Sequence, residues 1–166
     1  MDEAGAMSMQ TATVTVLDEM APIATTQNIT LSLDENGIVT LAANQIENGS
    51  SDNCGIDSMS IDITQFDCSN IGDNLVLLTV LDASGNSNSA EATVTIIDDL
   101  APTIITQNIT IYLDEMGMAQ IDPNQVNIGS SDNCGIDSMS IDISQFDCST
   151  LGENTCLLYT SPSPRD

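Results

Sequence analysis

The chain has 166 residues, with 25 Asp and Glu against a single Lys or Arg and no His, giving a formal net charge of −24. Neutralising phosphates takes Lys and Arg, so this balance excludes a nucleic-acid binder and gives no attraction to anionic membranes. No run of 18 apolar residues is present, which leaves no span to insert in a bilayer, and the 41% hydrophobic content, set in alternation, separates the chain from acidic disordered segments.

An internal repeat organises everything else. Ser51–Ile63 recurs unchanged as Ser131–Ile143, and aligning Ala21–Leu75 with Ala101–Thr155 gives 35 identities in 55 positions at an offset of 80. A fixed period of this length marks a tandem array. In chain order, residues 1–18 read as tail strands of a preceding repeat. Asp2-Glu3-Ala4-Gly5 and Ala12-Thr13-Val14-Thr15-Val16 align with Asp82-Ala83-Ser84-Gly85 and Ala92-Thr93-Val94-Thr95-Ile96. Neither a basic segment nor an apolar leader opens the sequence, so an exported parent would carry its signal upstream.

Residues 19–98 form the complete repeat. Apolar residues alternate at Ile29, Leu31 and Leu33, at Val39 and Leu41, at Met59, Ile61 and Ile63, and at Ala92, Val94 and Ile96. Period two predicts half-buried strands. Asn74–Leu81 is apolar on both faces and predicts a central strand, while Asp34-Glu35-Asn36-Gly37 and Asp82-Ala83-Ser84-Gly85-Asn86 supply turns. No capped stretch of helical period is found. Six or seven short strands per repeat predict an all-β chain of tandem immunoglobulin-like antiparallel β-sandwiches. Ala21-Pro22 and Ala101-Pro102 follow acidic pairs at each junction, and proline there favours a short, stiff connection.

Residues 99–155 read as a truncated second copy. Residues 156–166 abandon the repeat, and Cys156–Asp166 resembles one reading frame of a transposase adaptor used in short-read library preparation. On that reading Cys156 and Arg165 are not native, and the equivalents of the last two strands, residues 76–97, are lost. Exposure of an unpaired edge and part of a core then predicts a second repeat much less stable than the first.

Two groups of residues could carry chemistry. Cys54, Cys68, Cys134 and Cys148 stand at a fixed spacing, open to metal ligation, thiol chemistry or disulfide formation. Two cysteines per repeat with no His and no Cys-x-x-Cys disfavour zinc. The expectation is a disulfide within each repeat, Cys54 to Cys68 and Cys134 to Cys148, closing a 15-residue loop worth about 3 kcal/mol and implying an oxidising, extracytoplasmic setting. The second group is acidic: Asp18, Glu19, Asp98 and Asp99 at the junctions, with Asp52 and Asp82 in loops. These are either solvated turn and edge residues, the commoner role, or clustered oxygen ligands for calcium. No other cofactor is suggested. Phosphate loop, nucleophile elbow and histidine base are all missing, and carboxylates duplicated at turns read as scaffold, so no enzyme is expected.

The acidic junctions with Ala-Pro, Gln27-Asn28-Ile29-Thr30, Leu33-Asp34-Glu35, Ser51-Asp52-Asn53-Cys54-Gly55-Ile56 and Asp82-Ala83-Ser84-Gly85-Asn86, in order, resemble the hyalin-repeat family of immunoglobulin-like modules, in particular the arrays of secreted and surface proteins of marine Bacteroidota. Such repeats commonly carry an additional cysteine pair, where this chain has Thr26 and Asn88 or Ser89. The resemblance implies an extracellular or cell-surface, non-catalytic stalk, spacer or adhesive segment. Its partners would be neighbouring repeats of the same chain, and surface glycans or proteins. The alternative is an accessory module of a secreted hydrolase whose catalytic domain lies outside this segment.

Overall fold

A computed structural model describes residues 9–162; Asp2–Gly5, Met1 and Arg165, to which the sequence assigns roles, lie outside the described residues. Among the described residues the chain is all-β apart from single helical turns. The first repeat holds β1 (Ile29–Ser32), β2 (Ile38–Thr40), β3 (Ile56–Ile61), β4 (Gln65–Asp67), β5 (Gly72–Asp82) and β6 (Ser87–Ile97). Four of these form a sheet in the order β1-β6-β5-β3, and β2 with β4 forms a second, two-stranded sheet. Bridges from Ile23 to Ser51 and from Thr26 to Glu47 tie the entering chain to the loop ahead of β3.

Alternation accounts for the core. Val76, Leu78 and Val80 on β5 and Ala92, Val94 and Ile96 on β6 point to one face, where they meet Leu33, Leu41, Ile46 and Phe66. Each of these side chains larger than alanine, when buried, contributes about 1.5–3 kcal/mol. The Thr26 hydroxyl donates to the Glu91 carbonyl at 2.6 Å and the Asn88 amide to the Pro22 carbonyl at 3.0 Å. These bonds tie the entering chain to β6.

Two expectations need correction. The sheet is mixed, because β1 runs parallel to β6, in the register Ile29 to Val94 and Leu31 to Ile96. These strands are not consecutive, so the chain returns through the core before pairing and no hairpin forces them antiparallel. Helix is also present: α1 (Ala43–Ile46) and its counterpart α2 (Pro123–Val126) are one turn each, too short to register as a period. Each is closed by a glutamine reaching back to the backbone N–H ahead of it, Gln45 to Ala42 and Gln125 to Asp122, both at 2.8 Å.

The second repeat reproduces part of this plan with β7 (Met118–Gln120), β8 (Ile136–Ile141), β9 (Gln145–Asp147) and β10 (Leu158–Pro162). β10 pairs with β8 through Leu158–Ile141, Tyr159–Ser140 and Thr160–Met139. These contacts repeat, 80 positions on, those of β5 with β3 at Leu78–Ile61, Thr79–Ser60 and Val80–Met59. The non-repeating string therefore occupies part of a strand that the sequence reading left vacant. Among the described residues no strand stands in the place of β6. Residues 109–112, which match β1, form no strand, and among the described residues of this repeat only Ile121, Val126 and Phe146 are buried apolar side chains.

Candidate functional site

Two loops recur at each repeat boundary. Asp132-Asn133-Cys134-Gly135 leads into β8, and its first carboxylate accepts from the Cys134 N–H at 3.0 Å, which holds the loop in a tight turn. Asp34-Glu35-Asn36-Gly37 joins β1 to β2, and Asp34 accepts from the N–H groups of Asn36 and Ile38 at 2.8 and 3.0 Å. Those bonds, Ile38 first, hold the Asp34 carboxyl below its ordinary pKa.

The two loops meet across the junction. Asn133 donates to the Asp34 carbonyl and to the Asp98 carboxylate, both at 3.1 Å. Cys134 is bonded to Cys68, with Cα atoms 5.4 Å apart and a sequence separation of 66. This overturns the expected pairing within repeats, since Cys54 and Cys148 are both free and exposed. The physical reason is the position of each cysteine. Cys68 opens a 3-10 turn after β4, beside Gly37, whereas Cys54 sits before β3 at the opposite boundary, beside Asp18. Spacing in sequence could not distinguish a loop closed within a repeat from a clamp between repeats.

Gly37 makes the close approach possible. Its φ is +71°, and a Cβ there would lie 2.7 Å from Cys68 Sγ and 2.9 Å from the Asn133 carbonyl oxygen. Only glycine combines that backbone angle with that clearance.

At the first boundary three of the six candidate acidic ligands converge. Single carboxylate oxygens of Asp18, Asp52 and Asp82 lie within 4.8 Å of one another. Local bonds aim them. Asp82, 2% exposed, accepts from the N–H groups of Ser84 and Asn86 at 2.9 and 2.8 Å, and from the Asn86 amide at 2.8 Å. Burial opposes its charged form, but these bonds outweigh it and hold the pKa below the ordinary value. The same Asn86 amide donates to the Asp18 carbonyl at 3.1 Å, while Asn53 donates to Asp18 Oδ1 at 3.3 Å. Asp52 Oδ2 accepts from the N–H groups of Cys54 and Gly55 at 2.7 and 3.1 Å.

One oxygen each of Asp18 and Asp52, Oδ2 and Oδ1, is left buried with no hydrogen-bond partner. Buried unpartnered carboxylate oxygens are costly, and here no cationic side chain lies among the described residues to offset them. A hard divalent cation fits this donor set, as calcium takes carboxylate and carbonyl oxygens at about 2.3–2.6 Å.

Glu19 and Asp99, the other junction acids, stand apart. Both are exposed, and Asp99 accepts from the Ser32 hydroxyl at 3.2 Å. The second boundary is a partial copy: Asp98 and Asp132 match Asp18 and Asp52, and Asp132 Oδ2 is again buried and unpartnered, but Pro162 stands where the third Asp would be. The Cys54 thiol borders the three-carboxylate cluster. Its hydrogen bond to Asp18, then burial, then the charges of Asp18, Asp52 and Asp82 raise its pKa. Burial, with the Asp142 charge behind it, raises that of Cys156.

Comparison with family models, curated proteins and solved structures finds no match for this chain.

Proposed function

We propose that the chain is a non-catalytic spacer of an extracellular or cell-surface protein, built from immunoglobulin-like repeats of hyalin type whose successive units are clamped together. The observation that carries this reading is the Cys68–Cys134 bond between repeats, reinforced by Asn133 on Asp34 and Asp98. A connection held at the Ala-Pro linker and again at a disulfide has little freedom to bend. Such a joint serves a stalk that keeps a binding element away from a surface, and the bond suits an oxidising compartment. Partners on this reading are the neighbouring repeats, with surface glycans or proteins engaged by the array as a whole. Calcium at Asp18, Asp52 and Asp82 would fix the entry to the first repeat in the same way.

Small-angle scattering of the full chain, oxidised and reduced, tests the reading. A single extended shape when oxidised, giving way to a broad distribution of repeat orientations on reduction or in Cys68→Ser, is the expected result. Equal distance distributions in both states would remove the clamp, and the spacer reading with it.

A further inference from the structure

Asn-Gly occurs twice, as Asn36-Gly37 and Asn48-Gly49, and both copies lie in the first repeat; the matching positions of the second are Met116-Gly117 and Ile128-Gly129. Asparagine is a thermolabile residue, and before glycine the next backbone nitrogen has no side chain to keep it from the asparagine amide carbon. The two copies sit in opposite surroundings. At Asn36 the reacting groups are tied. The Gly37 N–H donates to the Asp34 carbonyl at 2.9 Å, and the Asn36 side-chain amide donates to Asp34 Oδ2 at 3.4 Å. Cys68 and Asn133 close over Gly37 from the junction side.

At Asn48 the same groups are open. Its exposed side-chain amide bonds to none of the described residues, and neither does the Gly49 N–H. Gly49 has a φ of +86°, and a Cβ there would meet nothing within 4 Å beyond its chain neighbours. The backbone on either side is fixed: the Asn48 N–H donates to the Thr25 carbonyl at 3.0 Å and the Ser50 N–H to Glu47 Oε1 at 2.6 Å. In the second repeat Asn127 takes the place of Glu47, and its Oδ1 accepts from Gly129 as well as Ser130, at 3.3 and 2.9 Å. Ile128 there offers no amide to attack.

We infer that Asn48-Gly49 is a self-modification site, where the chain converts slowly to isoaspartate, while the turn at the clamp keeps Asn36-Gly37 intact. The Gly49 nitrogen gives up its proton and attacks Asn48 Cγ. The carbon–nitrogen bond of the side-chain amide breaks, and the departing nitrogen takes a proton and leaves as ammonia. A cyclic imide remains, which water opens at either carbonyl. Opening at Cγ gives an aspartate at position 48 on the ordinary backbone. Opening at the main-chain carbonyl breaks the original peptide bond, leaves an α-carboxylate and routes the backbone through Cβ and Cγ. Water enters, ammonia leaves, and nothing is oxidised or reduced.

Position 48 gives this chemistry a structural consequence. Thr26 bridges Glu47 and Ile23 bridges Ser51, the second pair through backbone bonds of 2.8 and 3.0 Å. Asn48 stands between the two bridges, and a backbone lengthened by one carbon cannot hold both in register. Ser51 precedes Asp52, so the slip reaches the carboxylate that meets Asp18 and Asp82. The modification therefore loosens the entry to the first repeat with time. It leaves alone the Cys68–Cys134 clamp, on which the spacer reading rests.

The test holds the full chain at mildly alkaline pH, which favours the deprotonated nitrogen, and follows it by peptide mass spectrometry. Labelling with isoaspartyl methyltransferase marks the β-linked product. In the folded chain residue 48 should convert about tenfold or more faster than residue 36, the factor set by the hydrogen bond that Gly37 must give up. In the reduced chain in guanidinium the two should convert at similar rates, because the protection of Asn36 is structural. Similar rates in the folded chain, or an Asn48 still amidated there after the unfolded chain has converted, would overturn the inference. Hydrogen exchange reads the consequence. The Ser51 amide should lose protection in the aged protein but keep it in Asn48→Asp, which carries the same added charge on an ordinary backbone. Equal loss in Asn48→Asp would assign the effect to charge and remove the register slip.

Discussion

The Asn133 side chain donates to the backbone carbonyl of Asp34, a residue 99 positions earlier, at 3.1 Å. That bond lies beside the Cys68–Cys134 disulfide, so covalent and polar contacts fix the same loop of the second repeat on the same turn of the first. A closed loop with a sequence separation of 66 restrains the unfolded chain by about 4 kcal/mol in the chain-entropy model. Cleavage at acidic residues under non-reducing conditions should release a Cys68 peptide joined to a Cys134 peptide. Cys68→Ser should lower the melting temperature of the second repeat more than that of the first, whose core lies within its own 80 residues. Recovery of a Cys54–Cys68 peptide instead would reinstate pairing within repeats.

Gly37 and Gly117 occupy the same turn with the same backbone angle, φ of +71° and +73°, but face different surroundings. A methyl group at Gly37 meets both Cys68 Sγ and the Asn133 carbonyl, whereas at Gly117 it meets Cys148 Sγ alone, at 2.9 Å. Both alanine variants carry the strain of positive φ, so their difference isolates the junction. Gly37→Ala should be more destabilising than Gly117→Ala by about 1–2 kcal/mol in denaturant unfolding, and should leave more Cys68 open to alkylation. Equal losses would show that the contact with the second repeat adds nothing.

How much of this was legible follows from where the signal sits. The strands with three alternating apolar residues, β1, β3 and β6, stand close to where period two put them, β5 covers the run read as apolar on both faces, and the turns at Asp34 and Asp82 stand where expected. β4 was invisible because Phe66 is its single apolar residue, though that ring is almost fully buried. The parallel pairing of β1 with β6 and the partnership of Cys68 with Cys134 depend on which loops share a boundary, and no local pattern encodes that. Asp18, Asp52 and Asp82 were recognisable as candidates by residue type. Their convergence was not, since Asn86 and Asn53, which aim Asp18, look in sequence like ordinary turn residues.

Core size separates the two repeats. Among the described residues the first buries ten apolar side chains and the second three, with β10 in place of β5 and no described strand in place of β6. Hydrogen exchange should therefore show the amides of β5 and β6 protected to near the global limit, and those of β8 and β10 exchanging at least tenfold faster. Leu78→Ala should cost about 2–5 kcal/mol in the first transition. Uniform protection across both repeats would contradict the inequality of the cores.

Acid should unfold the chain through particular carboxylates. Asp67 and Asp147 cap their turns by accepting from Ser69 and Ser149, side chain first and backbone second, and both pKa values are lowered, as at Asp34 and Asp82. A group with a depressed folded-state pKa binds protons more readily when unfolded. Its stabilisation is complete above the unfolded value of about 3.9 and is lost as pH falls through the folded value. The melting temperature should accordingly drop below about pH 4, and Asp67→Asn should lower it at neutral pH and flatten the acid limb, so that the two proteins converge in acid. An unaltered acid limb in the variant would remove Asp67 from the account.

Calcium should discriminate between the two boundaries. Asp18, Asp52 and Asp82 offer three converging carboxylates, two of them with a buried oxygen lacking any partner, whereas Asp98 and Asp132 have a proline in the third position. With net charge −24, any salt relieves repulsion, so the comparison is made at fixed ionic strength, calcium against chelator and sodium. Calcium at about 100 times its dissociation constant should stabilise the first repeat by roughly 2.7 kcal/mol. Asp52→Asn should abolish most of that gain, and Asp132→Asn should leave it intact. The variants bear on the alternative directly, because general screening would respond alike to the loss of either carboxylate. Equal responses would make the cluster a solvated acidic surface, whereas a loss confined to Asp52→Asn makes the entry to the first repeat a cation-dependent joint.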